Sequence, residues 1–159
     1  MGAINNAFNQ AAGAVAGAAL VIKHAKETEE SKMNTADSTA IVARNQARAA
    51  NDEANAANDE AFKKGGLVEQ LSGAEVDREE AEKAYNKAVK RKNASPKTIN
   101  KKFTELEAAQ KAEDELNNKY QAIMNLNTRA EEQIRYAAKA TEMAIKAKQK
   151  FEKHWGGIR

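Results

Sequence analysis

Apolar residues recur every seven positions along the first third of the chain: Phe8, Val15, Ile22, then Glu29, Ala36, Ala43, Ala50 and Ala57. Glu29 is the only charged member of that column. A second column runs beside it, first as Ile4, Ala11, Ala18 and Ala25, then as Ala40, Ala47, Ala54 and Ala61. One apolar phase held over about sixty residues predicts one long helix, or two in line, with a single sticky seam. Most of the seam is alanine, so a partner helix has to come very close to gain from it.

The pattern predicts a first helix from about Ala3 to Lys64, stopped by Gly65-Gly66, with Lys63 and Lys64 where the helix dipole favours cations. Its weakest stretch is Thr28 to Thr39, rich in mediocre helix formers, where a bend or break is expected. A shorter second helix is expected from Leu67 to Lys92, with Leu67, Leu71, Ala74, Ala81, Tyr85 and Ala88 on one face. Gly73 weakens it, and Ser72 with Glu75 offers a capping box that restarts it. Asn93-Ala94-Ser95-Pro96 reads as a turn, a Ser N-cap and Pro at the first helical position. A third helix then runs from Pro96 to Trp155. Ala109, Leu116, Ile123, Ala130, Ala137, Ala144 and Phe151 form its main column. The segments 1–64, 67–92 and 96–155 thus define an all-α, elongated, coiled-coil-like fold of two long helices and one shorter one, without β-sheet. Short turns normally reverse direction, so the expected order is up, down, up.

Composition sharpens this picture. Of the 159 residues 34 are alanine, so the 42% hydrophobic fraction overstates the area available for a core. With 5% aromatics, one proline and 31% charged residues, the profile is that of long helices rather than of a compact globule. Oligomerisation, or docking on a larger body, is expected to supply stability. No cysteine is present, which excludes disulfides and thiolate metal sites.

Charge is distributed unevenly around a net +3. The stretch from Met1 to Ile22 carries no charged side chain. No basic residue precedes its apolar run, unlike a secretory signal. The run from Ala11 to Ile22 is short for a transmembrane span. Met1-Gly2 opens like a myristoylation site, but Asn6 stands where Ser or Thr is wanted. Gly13 and Gly17, four apart, suit close helix crossing; they mark tight protein packing or a segment that enters membranes conditionally.

Between Lys83 and Lys102 there are eight basic residues and no acidic one. Lys87, Lys90, Arg91, Lys92, Lys97, Lys101 and Lys102 are expected to gather at the tip around the second turn. Such a tip is a solubilising surface, or a weak, non-specific and salt-sensitive contact for nucleic acid or an acidic protein. Near the C-terminus Phe151, His154, Trp155 and Ile158 form an apolar patch among basic residues, with Phe151 and Trp155 as candidate partner anchors. The helix-packing or oligomer seam is assigned to Phe8, Gly13, Val15, Gly17, Ile22, Ala43, Ala47, Ala50, Ala54, Ala57 and Ala61.

Chemistry finds no foothold. His24 and His154 lie far apart, and no phosphate loop, nucleophile elbow or metal-ligand repeat is present. The expectation is a non-enzyme with no catalytic residue, metal or cofactor.

The uncharged Gly/Ala start, Gly2 to Ile22, running into the long polar helix Lys23 to Lys64, resembles the internal virion and DNA-pilot proteins of small and short-tailed bacteriophages. The resemblance rests on that composition and on Gly13-Ala14-Val15-Ala16-Gly17. It implies a structural virion component, internal or portal-associated, made in the host cytoplasm and ejected with DNA. Its partners would be copies of itself and other structural proteins, in a symmetric ring or tube. The alternatives are a membrane-active translocation protein using residues 1–22 and a cytoplasmic coiled-coil adaptor.

Overall fold

A computed structural model describes residues 2–156. Among them the chain forms three α-helices and no strand: α1 (Gly2–Phe62), α2 (Leu67–Lys90) and α3 (Pro96–Trp155). The protein is all-α. Met1 and residues 157–159, which include Ile158 of the C-terminal patch, lie outside the described residues.

α1 shows no break between Thr28 and Thr39. The Oγ1 hydroxyls of Thr28 and Thr39 donate to the carbonyls of His24 and Thr35 at 2.9 and 2.8 Å, so these side chains are satisfied inside the helix. Glu29, Met33 and Ala36 are half-buried along the same stretch, which adds packing that local propensity does not count. α2 likewise passes through Gly73 without a restart at Ser72 and Glu75. Lys63 and Lys64, expected in α1, and Arg91 and Lys92, expected in α2, belong to the turns.

Two glycines make the first turn. Gly65 has φ +73°, the left-handed region open to glycine, and its N–H donates to Glu69 Oε2 at 2.7 Å. Gly66 is pressed on the end of α1: a Cβ there would stand 2.6–2.8 Å from the carbonyl oxygens of Glu60, Ala61 and Lys63. At the second turn Ser95 caps α3 as expected, its Oγ accepting the Thr98 N–H at 3.2 Å ahead of Pro96.

The chain divides into two compact units. One comprises Met1–Ala47 and Gln133–Arg159. Here α1 and α3 pair antiparallel around Ala40, Ala43, Ala47, Ala137 and Ala140, all under 10% exposed, with Ala144 against them. The core is almost all methyl groups, which brings two backbones together along a narrow line.

The other unit is Arg48–Glu132. Ala50, Ala54 and Ala130 form its buried cluster, with Leu126 packed on it. Ala61, Ala88 and Leu106 are also buried. Moving up α3 from Phe103 to Glu113 to Asn127, the partners are Tyr85, Arg78 and then Asn58. Both α2 and the end of α1 therefore run antiparallel to α3, and α2 carries on in the direction of α1. This corrects the up, down, up order. The Gly65-Gly66 turn interrupts one arm and does not reverse it, because the α2 face from Leu71 to Ala88 lies in the phase that α3 extends to both helices.

Candidate interaction surfaces

The alanine seam finds its partner inside the chain. Ala43, Ala47, Ala50, Ala54 and Ala61 are buried and Ala57 is half-buried. α3 supplies the facing helix for Ala43, Ala47, Ala50 and Ala54 within the chain.

Polar side chains interrupt the seam at matched places. In the second unit Asn58 and Asn127 exchange side-chain amide hydrogen bonds, Nδ2 to Oδ1, at 2.8 and 3.2 Å. Arg78 Nε donates to Glu113 Oε2 at 2.5 Å, and its Nη1 to Glu82 Oε2 at 3.1 Å. The hydrogen bond and charge of Glu113 hold the guanidinium above its already high pKa. The rings of Tyr85 and Phe103 meet at a tilt of 55° with centroids 5.7 Å apart nearer the second turn. Such pairs add little net stability next to an apolar seam, but a shifted register leaves them unpaired.

In the first unit the polar interruption is Glu29. Its Oε2 accepts from Trp155 Nε1 at 2.7 Å and contacts His154 Nδ1 at 3.3 Å, with Lys150 Nζ 3.9 Å from the other oxygen. The Trp155 hydrogen bond comes first among the causes that hold this carboxyl below the usual glutamate range, ahead of His154 and Lys150, while desolvation opposes them. Trp155 and Phe151 are half-buried. The candidate C-terminal anchor is thus engaged with α1 of its own chain.

N-terminal to this clasp α1 is bare. Every residue from Gly2 to Ala25 is exposed, including Phe8 (76%), Val15 (70%) and Ile22 (55%). At about 100° per residue, Ile4, Phe8, Ala11, Val15, Ala18 and Ile22 line one side, in phase with the seam that α3 covers from Glu29 onward. Gly13 and Gly17 fall on the opposite side with Asn6 and Gln10. A Cβ at either glycine meets nothing within 4 Å. The glycine pair and the apolar stripe, expected on one seam from their spacing, are therefore two different surfaces. None of the described helices is long and apolar enough to cross a membrane.

The basic residues gather at one end of the second unit but divide between two faces. Lys83, Lys87 and Lys90 form one stripe on α2 and, with Asn86 and with Arg91 of the following turn, line a shallow groove on the side away from Tyr85 and Ala88. Arg91 and Lys92 border a second hollow with Asn93, Ala94, Ser95 and Thr98. On α3, Lys97 and Lys101 lie opposite the face of Ile99, Phe103 and Leu106, and Lys102 is paired with Glu105 at 2.9 Å. Among the described residues no group of three or more His, Cys, Asp or Glu side chains could hold a metal.

Sequence reasoning found Glu29 as an oddity without giving it a role, and missed Asn58–Asn127 and Arg78–Glu113. The signal was available. Arg78 fills the gap between Ala74 and Ala81 in the α2 face, and Glu113 the gap between Ala109 and Leu116 on α3. Comparison with known proteins finds no matching family model, no similar curated protein and no similar solved structure.

Proposed function

We propose that this chain is a non-enzymatic structural protein that joins a larger helical assembly through the bare part of α1. One observation carries the reading. An uncharged stripe of large apolar side chains, Ile4, Phe8, Val15 and Ile22, stands exposed in the same phase as a seam that is buried further along the same helix. Exposed apolar strips of this length mark contact sites. The setting proposed is a bacteriophage particle, on the resemblance of Gly2 to Lys64 to internal virion and DNA-pilot proteins. Sedimentation of the whole chain and of a chain lacking residues 2–22 tests the assembly role. Association should be present in the first and lost in the second; an unassociated whole chain that also fails to bind any helical virion partner refutes it. Detection of the chain in purified particles tests the setting.

The exposed stripe also favours a second reading, conditional membrane contact, because an amphipathic helix can lie in an interface that it cannot span. Liposome leakage that depends on residues 2–22 would support it. Lack of leakage across pH and lipid charge would remove it and leave the assembly role standing.

A further inference from the structure

We infer that the partner of the bare α1 arm is the same arm of a second copy, laid antiparallel in a two-fold symmetric pair. The inference rests on the assembly role proposed above and names its geometry.

The arm's stripe consists of two columns, Phe8, Val15 and Ile22 in one, Ile4, Ala11 and Ala18 in the other. In an antiparallel pair each column faces the other across the axis. Phe8 then meets Ala18, Val15 meets Ala11, and Ile4 meets Ile22. Large side chains meet small ones in the four inner layers, and two isoleucines close each end. In a parallel pair each column faces itself. Phe8 would oppose Phe8 and Val15 would oppose Val15, with Ala11 and Ala18 facing their own copies between them. That alternates overfilled layers with empty ones, which a close-packed seam does not tolerate.

Three further observations agree. The stripe continues in phase the seam that α1 already makes antiparallel with α3 around Ala43 and Ala140, so the arm repeats a packing the helix is shaped for. The flanking residues Ala7, Ala12, Ala14 and Ala19 are small and allow the same close approach. No charge from Gly2 to Ile22 opposes self-association. The seam is short, about 27 Å between its end layers, so the pair should be reversible.

The test uses the whole chain, which has no native cysteine. Ile4→Cys and Ile22→Cys are made as separate variants and oxidised singly and as a mixture. Neither substitution touches a contact within the chain, and circular dichroism checks that helix content is kept. Antiparallel pairing gives disulfide-linked dimer in the mixture and essentially none from either variant alone, because like positions then lie about 27 Å apart. Dimer from each variant alone means parallel arms and overturns the inference while leaving the assembly role intact. Dimers by sedimentation that survive deletion of residues 2–22 also overturn it, since another surface would then be responsible. If the whole chain stays monomeric at every concentration, this inference fails, and the assembly role survives only if another helical partner is found.

Discussion

The indole Nε1–H of Trp155 donates to Glu29 Oε2 across 2.7 Å, joining the last residue of α3 to the one charged position in the leading heptad column of α1. This contact marks where α1 stops being a covered helix and becomes a bare one. Glu29 has its carboxyl held below the ordinary glutamate range, by the Trp155 hydrogen bond first and by His154 and Lys150 after it. A lowered folded-state pKa means the contribution to stability is fully present above the ordinary range and is lost as pH falls through the lowered value. The fluorescence of Trp155, the only tryptophan, should therefore change as pH falls below the ordinary glutamate range, where Glu29 takes up its proton. Glu29→Gln should shift the neutral-pH spectrum and remove that part of the acid transition. Trp155→Phe should lower the melting temperature. An unchanged acid profile in Glu29→Gln would show that the contact does not persist in solution.

The two-glycine turn gives a test with opposite signs. Gly66→Ala should destabilise by about 1–3 kcal/mol, since its Cβ would strike backbone carbonyls that have no room to yield. Gly65→Ala is strained as well, through its positive φ. Gly73→Ala meets nothing within 4 Å and lies inside α2, so it should stabilise by about 0.5–1 kcal/mol. Urea denaturation of the three variants decides whether the turn has this shape.

The fold was legible to different depths along the chain. Helix type, the Gly65-Gly66 and Ser95-Pro96 breaks and the alanine seam follow from residue spacing alone, and the structure has all of them. Direction was not legible. A two-glycine turn fits a reversal or an in-line restart, and only the pairing of Asn58 and Arg78 with successive parts of α3 separates the two. The continuity of α1 through Thr28–Thr39 was hidden because local propensity says nothing of half-burial at Glu29, Met33 and Ala36. The candidate seam residues do not share one face of the helix. The seam residues Gly13 and Val15 are two apart in sequence and lie on different sides of one helix. Trp155 reads as a partner anchor by its position, and in the fold its indole N–H is taken up by Glu29 of the same chain.

Ala50 and Ala57 differ by one heptad and should respond differently to bulk. Ala50 belongs to the buried cluster with Ala54 and Ala130, so Ala50→Leu forces the helices apart and should destabilise by about 1–3 kcal/mol. Ala50→Ser should be milder. Ala57 is only half-buried, so Ala57→Leu should have a smaller effect. Thermal melts of the variants measure this. A higher melting temperature for Ala50→Leu would mean that the seam behaves as an ordinary leucine-tolerant coiled coil.

The split of the basic tip makes charge reversal face-specific. Any association with a short DNA duplex should be weak and fall steeply with added salt, because it rests on phosphate contacts alone. Reversing Lys83, Lys87 and Lys90 to Glu removes the α2 stripe and should abolish it, whereas reversing Lys97 and Lys101 should have a smaller effect. Fluorescence anisotropy at low and moderate salt reads both. Equal losses from the two faces would mean that the tip acts only through its total charge.

Asn58 and Asn127 exchange two amide hydrogen bonds in a seam that is otherwise largely apolar around them, next to Ala54, Ala130 and Leu126. Replacing either one by Ala leaves the other without its partner and should destabilise by about 1 kcal/mol or somewhat more. Replacing both removes the mismatch, so the double variant should lose less than the two single losses added, with a coupling of about 0.5–1.5 kcal/mol in a double-mutant cycle. Replacing both by Leu should do the opposite of a usual polar-to-apolar damage. Stability should rise, since apolar side chains fill a seam without a desolvation penalty, while the register becomes less well defined because leucines pack acceptably at neighbouring offsets. Denaturation measures the first effect. The second shows as broadened or doubled backbone amide resonances between Asn51 and Phe62. Additive losses with no coupling would mean that the amides face water independently and do not set the register of α1 on α3.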